Sequence, residues 1–142
     1  MAWPAPWLSL PFLPLPPHRM AWTRATRLAP HFVLGEFMAP NEALPDEWVL
    51  WNIWLLAQRL QALRDVWQRP ITITSGYRSP QQNQRVGGHP LSYHLRGMAA
   101  DITVSGWTPH QVQQALAHWQ GGLGAYATFT HIDIGPKRRW GQ

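Results

Sequence analysis

Two segments in the second half of the chain place a histidine close to a carboxylate. His94 precedes Asp101 by seven residues in the run SYHLRGMAAD, and His131 precedes Asp133 by two. These aspartates are the only acidic residues after Asp65, so each needs a chemical or structural reason. Because the sequence has no cysteine, a metal ion bound here would take its ligands from histidine, aspartate or glutamate.

Two neutral imidazoles and one carboxylate, with a water in the fourth position, form the ligand set of a catalytic zinc site. His94, Asp101 and His131 can supply that set for one Zn²⁺ if the segments that carry them are neighbours in the fold. The ion would lower the pKa of a bound water to about 7 and polarise a carbonyl oxygen. Asp133 shares a strand face with His131 and is the nearest candidate for the general base.

Each of these residues also has an ordinary structural interpretation. Asp101 alone can cap a turn, and Asp133 alone can anchor the Gly135–Pro136 turn. The spacing by itself leaves both interpretations open. The five remaining histidines are expected to be surface or hydrogen-bonded residues: His18, His31, His89, His110 and His118.

Three helices are predicted from capping residues and apolar spacing. Asp46 can cap a helix that runs to about Trp67 with one apolar face. Ser79–Pro80 and Thr108–Pro109 each combine a capping side chain with proline at the first helical position. The first of these short helices is expected to end before Gly87, and the second is expected to run up to Gly121.

Three strands are predicted from β-branched and alternating residues, at 71–74, 100–104 and 129–134. In the second of them Asp101 lies on one face, while Ile102 and Val104 point to the core. The pattern predicts an α+β fold in which helices pack against a small antiparallel sheet that carries the zinc site.

Residues 1–29 are predicted to be a Pro/Trp-rich extension, extended or flexible, before one domain at 30–142. Prolines every two to four residues prevent a regular helix up to residue 20. This segment lacks the basic start and the cleavage site of a signal peptide, and it is too short and too rich in proline for a membrane span. Met20 could equally begin a complete domain.

The chain carries eleven arginines and one lysine against seven acidic residues, a net charge of +5. This charge favours anionic partners such as nucleic acid, a membrane surface or a cell-wall polymer. The arginines are scattered apart from the run Lys137–Arg139, and no nucleic-acid-binding motif is present, so we expect no specific nucleic-acid partner.

Three motifs in combination resemble the zinc D-Ala-D-Ala carboxypeptidase family: SGYRSP at 75–80, S-x-H-x-x-G-x-A-x-D at 92–101 and H-x-D at 131–133. That family includes phage and bacterial peptidoglycan peptidases and shares its metal-site fold with lysostaphin-type endopeptidases and the hedgehog signalling domain. The resemblance covers about residues 30–140. It implies hydrolysis of an amide bond in peptidoglycan stem peptides, of the carboxypeptidase or the endopeptidase type.

The resemblance also assigns roles to individual residues. It implies that His94, Asp101 and His131 are the metal ligands. Arg78 matches the arginine of the family's SGYR motif, which implies that it binds the substrate carbonyl or carboxylate and stabilises developing negative charge. Ser92 matches the serine before the first histidine, which implies a hydrogen-bond donor beside the ligands.

One position departs from the family pattern. Many members carry a catalytic glutamate three residues before the last histidine ligand, where this chain has Thr128, which cannot act as a base. The H-x-D form resembles a subgroup in which the acid follows the histidine, so Asp133 is the expected base. Alternatively, Asp133 orients His131. A non-catalytic zinc module of the same fold also remains open.

Further expectations concern the cleft and its setting. Tyr77 and Tyr126 are candidate hydrogen-bond donors to the substrate, and Trp140 either walls the cleft or packs in the core. We expect a monomer that acts on the cell wall, as a periplasmic, extracellular or phage-encoded protein.

Overall fold

The site lies on a five-stranded sheet whose strand order is β3-β4-β6-β5-β7. The computed structural model describes residues 22–141, and the elements below are those of this part of the chain. The strands are β1 (Arg27–Ala29), β2 (Phe32–Val33), β3 (Ile71–Ser75), β4 (Ala99–Val104), β5 (Gly122–Ala125), β6 (Thr130–Asp133) and β7 (Arg138–Trp140). The helices are α1 (Glu47–Trp67), α2 (Pro80–Arg85) and α3 (Pro109–Ala115), with short 3-10 turns at Leu34–Phe37 and Tyr93–Arg96.

Most neighbours in the sheet are antiparallel, as the sequence predicts. The pairs β3–β4, β4–β6 and β5–β6 are antiparallel, whereas β5 and β7 are parallel. The β5–β7 pairing is possible because the chain crosses from β6 through the turn at Gly135 and returns along the far side of β5. The predicted α+β fold, with helices against a small sheet, is confirmed.

Helix α1 has the predicted bounds, but Asp46 contributes only its backbone carbonyl to the first turn, so the predicted side-chain cap is wrong. The helix begins after Asp46 and ends at Trp67, where Gln68 adopts the left-handed conformation with φ 54°. Ile53, Leu56 and Leu60 lie on its buried face and are fully enclosed. Because these apolar side chains recur at helical spacing, one side of α1 covers the core.

The two short helices begin as predicted. Ser79 Oγ accepts a hydrogen bond from the Gln82 N–H at 3.2 Å, and Thr108 forms a reciprocal capping pair with Gln111. Helix α3 ends at Ala115, earlier than the expected stop at Gly121. The chain tightens there because the Leu116 N–H bonds to the carbonyl of Gln113 as well as to that of Val112.

Strands β1, β2, β5 and β7 are absent from the sequence prediction. The sequence of β5 is GLGA, which has low intrinsic strand preference. It forms because β6 and β7 supply hydrogen-bonding partners on both sides.

The domain boundary expected at residue 30 stays a prediction. Residues 1–21 of the expected extension, including His18 and Met20, lie outside the described residues. Within residues 22–29, Trp22, Leu28 and Ala29 belong to the buried core. Gln58 of α1 also donates a buried hydrogen bond to the Leu28 carbonyl at 2.7 Å.

Candidate metal centre

Two of the three predicted metal ligands, Asp101 and His131, lie on neighbouring strands. Asp101 of β4 stands directly opposite His131 of β6 in the antiparallel register, and Asp101 Oδ1 lies 3.1 Å from His131 Nδ1. Ile102 and Val104 point the other way and are buried in the core, as predicted. The alternation of side chains along each strand therefore places Asp101 and His131 on the same face of the sheet.

His94 reaches the same point from a 3-10 turn. Ser92 Oγ accepts the His94 backbone N–H at 3.2 Å and so caps this turn. The turn ends at Gly97, whose φ of 69° suits glycine and lets the chain enter β4. His94 Nδ1 lies 2.7 Å from the Gly76 carbonyl, and Nε2 lies 3.3 Å from Asp101 Oδ1.

The side-chain atoms of His94, Asp101 and His131 that can act as metal ligands lie close enough together to bind one ion. One ligand atom of each residue lies within 4.8 Å of the others, and the three residues are largely buried. Since the Gly76 carbonyl can only accept, His94 Nδ1 donates to it, and Nε2 is the ring nitrogen that faces Asp101. The structure thus brings together the three predicted ligands, with one nitrogen of each ring directed at the shared carboxylate.

Burial and hydrogen bonding act in opposite directions on the ionisation of Asp101. Burial disfavours its charge, but hydrogen bonds to His131 and His94 outweigh that effect and lower its pKa to about 2. Burial likewise disfavours the charged form of His131, but Asp101 and Asp133 together raise its pKa above the ordinary value. The cluster therefore favours an ionised Asp101, which is the form that binds a metal ion.

Asp133 lies on the opposite side of the His131 ring from Asp101. Its Oδ2 is 2.8 Å from His131 Nε2, whereas Asp101 faces Nδ1 of the same ring. The Asp133 side chain has no solvent exposure, and its Oδ1 accepts the backbone N–H groups of Gly122 and Gly135 at 3.1 and 3.0 Å. Burial opposes its ionisation, but the contacts with His131 and Arg138 lower its pKa.

Arg78 lines the open side of the cluster. Its Nη2 lies 3.4 Å from Asp101 Oδ2, its Nε donates to Ser75 Oγ at 3.1 Å, and its Nη1 lies 3.4 Å from Asn83 Oδ1. The guanidinium is thereby held beside the three candidate ligands while it still faces a cleft of about 590 Å³.

The other predicted residues divide between this cleft and its surroundings. Ser92 and Tyr126 line the cleft, and so does Trp140, whose ring centroid is 5.0 Å from that of His131. The Tyr126 hydroxyl accepts a hydrogen bond from Trp140 Nε1 at 3.0 Å. Tyr77 is not among the described residues that line the cleft; it lines a neighbouring depression to which Arg78 also belongs.

Sequence reasoning missed the role of the basic run at 137–139. Arg138 Nη2 donates to Asp133 Oδ2 at 2.8 Å, and Arg139 donates to the carbonyls of Gly121 and Arg138. Two of the three cations therefore make hydrogen bonds within the protein. The turn at Gly135 could have indicated the contact between Arg138 and Asp133, because it returns the chain beside Asp133. Among the other histidines, His89 is exposed and hydrogen-bonded as expected, and it also lines the cleft.

Comparison with known proteins agrees with this geometry. The sequence model of the family described as peptidase M15 matches residues 30–133, which include all three candidate ligands and Asp133. The chain belongs to the peptidase M15 family. Its membership implies a metal ion, and the cluster of His94, Asp101 and His131 is a set of residues that can hold one.

Individual relatives of this M15 chain are peptidoglycan enzymes by name. The chain is 37% identical over 90 residues to the peptidoglycan L,D-endopeptidase MepK of Escherichia coli K12, covering 58% of this chain and 49% of that protein. It is 36% identical over 78 residues to the probable MepK of Haemophilus influenzae, covering 49% and 42%. The chain therefore spans about half the length of the curated relatives it matches. Among the described residues, no helix has the length and apolar character needed to cross a membrane.

Proposed function

We propose that this M15 chain is a zinc-dependent peptidase that hydrolyses an amide bond in the stem peptides of peptidoglycan. The observation that carries the proposal is the convergence of His94, Asp101 and His131, with ligand atoms within 4.8 Å of one another, at the floor of a cleft. The family match and the names of the relatives support the substrate class.

His94 Nε2, Asp101 Oδ1 and His131 Nδ1 are the atoms proposed to hold the ion. Two imidazoles and one carboxylate suit Zn²⁺ and leave a coordination position for water or substrate. A bound Zn²⁺ supplies an activated water near neutral pH and polarises a carbonyl oxygen. The hydrogen bonds to Gly76 and Asp133 fix which nitrogen of each ring faces the ion.

Arg78 is proposed to bind the substrate. Its guanidinium lines the cleft beside the ligands, and two of its contacts are long at 3.4 Å, so they can be exchanged for a substrate oxygen. A fixed cation in a partly enclosed site stabilises the negative charge that develops on a carbonyl oxygen during amide hydrolysis. Tyr126 offers a hydroxyl at the cleft edge, and Ser92 acts by capping the turn that carries His94.

For Asp133, the contacts support the orienting role over that of general base. A base must reach the water proton, but Asp133 is enclosed and lies on the Nε2 side of His131, away from Asp101. Both of its oxygens already accept hydrogen bonds. We therefore propose that Asp133 acts through His131.

The names of the relatives favour an endopeptidase over a carboxypeptidase. An open cleft is consistent with a chain that continues on both sides of the scissile bond. Because one chain supplies every residue of the cluster, we propose a monomer that acts where peptidoglycan is exposed, at the cell wall.

Digestion of defined muropeptides, with identification of the products by mass spectrometry, tests this function. Purified protein loaded with about one Zn²⁺ per chain is expected to release stem-peptide fragments, and a chelator is expected to abolish release. The products also identify the bond that is cleaved. Bound zinc without cleavage of any muropeptide would support the non-catalytic module instead. A protein that binds no metal ion would overturn the site itself.

A further inference from the structure

Arg138 makes the closest ion pair in the site apart from the histidine contacts. Its Nη2 donates to Asp133 Oδ2 at 2.8 Å, and its Nη1 lies 3.3 and 3.5 Å from the two oxygens of the same carboxylate. The same Oδ2 lies 2.8 Å from His131 Nε2. A continuous chain of contacts thus links a guanidinium to a candidate metal ligand.

Aromatic rings hold the Arg138 side chain on both sides. Its guanidinium carbon lies 5.0 Å from the centroid of the Tyr93 ring and 5.4 Å from that of the Trp140 ring. Guanidinium groups stack well on aromatic faces, so these rings restrict the orientations open to the side chain. Trp140 is itself fixed by its hydrogen bond to Tyr126.

The neighbouring strand leaves room for this arrangement by carrying glycine. A Cβ on Gly122 would collide with Asp133 Oδ2 and with the Arg138 guanidinium, and a Cβ on Gly124 would lie 2.6 Å from the Trp140 ring. Strand β5 therefore needs glycine at both positions so that Arg138 and Trp140 can lie across it. This requirement explains why β5 has glycine at two positions, although glycine lowers its intrinsic preference for the strand conformation.

The contacts determine the orientation of the His131 ring. Asp133 Oδ2 lies 2.8 Å from Nε2, and Arg138 Nη2 holds the same carboxylate oxygen at 2.8 Å. With Nε2 directed at Asp133, Nδ1 of the same ring faces Asp101 and the proposed metal position. A ring turned away from Asp133 would no longer present Nδ1 at that position.

On the basis of the proposed metal site, we propose that Arg138 is a positioning residue which, through Asp133, fixes the ring orientation of His131 and so directs Nδ1 at the metal position. Arg138 does not need to contact substrate for this role, since its donors are engaged by Asp133. A merely structural role would affect the stability of the fold without changing the Zn²⁺ affinity of the folded protein.

Arg138→Gln is the variant that tests the proposal, with Lys137→Gln as the matched control. Both remove one positive charge from the same segment, but Lys137 is exposed. Zn²⁺ affinity is measured by competition with a chromophoric chelator, and circular dichroism checks the fold.

Arg138→Gln is expected to bind Zn²⁺ about 10- to 100-fold more weakly, the usual effect of removing a partner behind a metal-bound histidine. Lys137→Gln should match the wild type in Zn²⁺ affinity. Arg138→Lys keeps the charge without the paired donors, so it should recover part of the affinity. A folded Arg138→Gln protein with wild-type Zn²⁺ affinity would overturn the proposal.

Two further outcomes are also decisive. If Arg138→Gln does not fold, Arg138→Lys decides: weaker Zn²⁺ binding than Lys137→Gln supports the positioning role, and equal binding contradicts it. If the wild-type protein binds no Zn²⁺, the proposed function and the role of Arg138 are both overturned, whereas Zn²⁺ binding by the wild type that is matched by Arg138→Gln overturns the role of Arg138 alone.

Discussion

Asp101 and His131 face each other across the β4–β6 pair, with Asp101 Oδ1 3.1 Å from His131 Nδ1. They are thirty residues apart in the sequence, and the antiparallel register alone makes them neighbours. Because both strands are buried in the middle of the sheet, the pair is held by the most constrained part of the backbone. The candidate metal centre is therefore a property of strand register, completed by His94 from a capped turn.

Removal of His131 should abolish metal binding. His131→Ala deletes a ligand nitrogen while the backbone pairing of β6 remains, so we expect loss of the bound ion with retention of the fold. Metal content after gel filtration measures this directly, with His118→Ala, an exposed histidine of the same chain, as the control. Unchanged metal content in His131→Ala would show that His131 is not a metal ligand and that the proposed site is wrong.

Arg78→Ala should lower turnover without releasing the ion. Arg78 contacts Asp101 only at 3.4 Å and is not a candidate ligand, so metal content should stay near that of the wild type. Loss of one preorganised donor for the developing oxyanion typically reduces kcat about 10²- to 10³-fold. Muropeptide hydrolysis at saturating Zn²⁺ tests this, with Arg85→Ala in α2 as a control exposed to solvent. Equal kcat in the two variants would make Arg78 structural.

Asp133→Asn separates the two roles that the sequence left open for this residue. If Asp133 orients His131, the variant should bind Zn²⁺ about 10- to 100-fold more weakly, and much of its turnover should return when Zn²⁺ is saturating. If Asp133 is the general base, metal affinity should be nearly unchanged while turnover stays low at every Zn²⁺ concentration. We expect the first result. The measurements are chelator competition and kcat at several Zn²⁺ concentrations.

Metal affinity and metal-free stability should change in opposite directions as His131 titrates. Burial lowers the pKa of His131, but its bonds to Asp101 and Asp133 raise it above 6.5 overall. In the metal-free protein the protonated ring therefore stabilises the fold below pH 6.5, and this contribution is lost as the pH rises through the raised pKa. Zn²⁺ needs the neutral ring, so its affinity should rise over the same interval.

Asp101 contributes a pH dependence of stability that is opposite in sign to that of His131. The pKa of Asp101 is lowered from 3.8 to about 2 because the hydrogen bonds of the two histidines outweigh burial. Its contribution to stability is present above pH 3.8 and is lost as the pH falls towards about 2. Urea unfolding of the metal-free protein over both pH intervals, compared with that of Asp101→Asn, measures how the contributions of His131 and Asp101 to stability change with pH. A variant whose pH dependence equals that of the wild type would contradict the assignment.

Residues 22–29 should be needed for a stable domain. A chain that begins at Trp22 keeps Trp22 and Leu28 in the core, whereas one that begins at Pro30 lacks both. Each buried side chain of this size contributes about 1.5–3 kcal/mol, so the shorter chain should lose at least about 3 kcal/mol of unfolding free energy. Urea unfolding of the two chains tests this. Equal stability would place the domain boundary at residue 30, as composition suggested.

Local patterns determined most of the regular elements and the identity of the candidate ligands. Ser79 and Thr108 marked two helix starts because their side chains cap the first turn, whereas Asp46 marked the start of α1 without a side-chain cap. Alternation placed Asp101 on one strand face and Ile102 on the other, because side chains in a strand alternate with period two.

The tertiary structure alone decided how these elements meet. Pairing of β4 with β6 joined Asp101 to His131, and pairing of β5 with β7 brought Arg138 back to Asp133. No local pattern encodes such pairings, since they depend on register between segments far apart in the sequence. The glycines of β5 illustrate the difference. By propensity they disfavour a strand, but in the folded protein only glycine leaves room for the side chains that cross it.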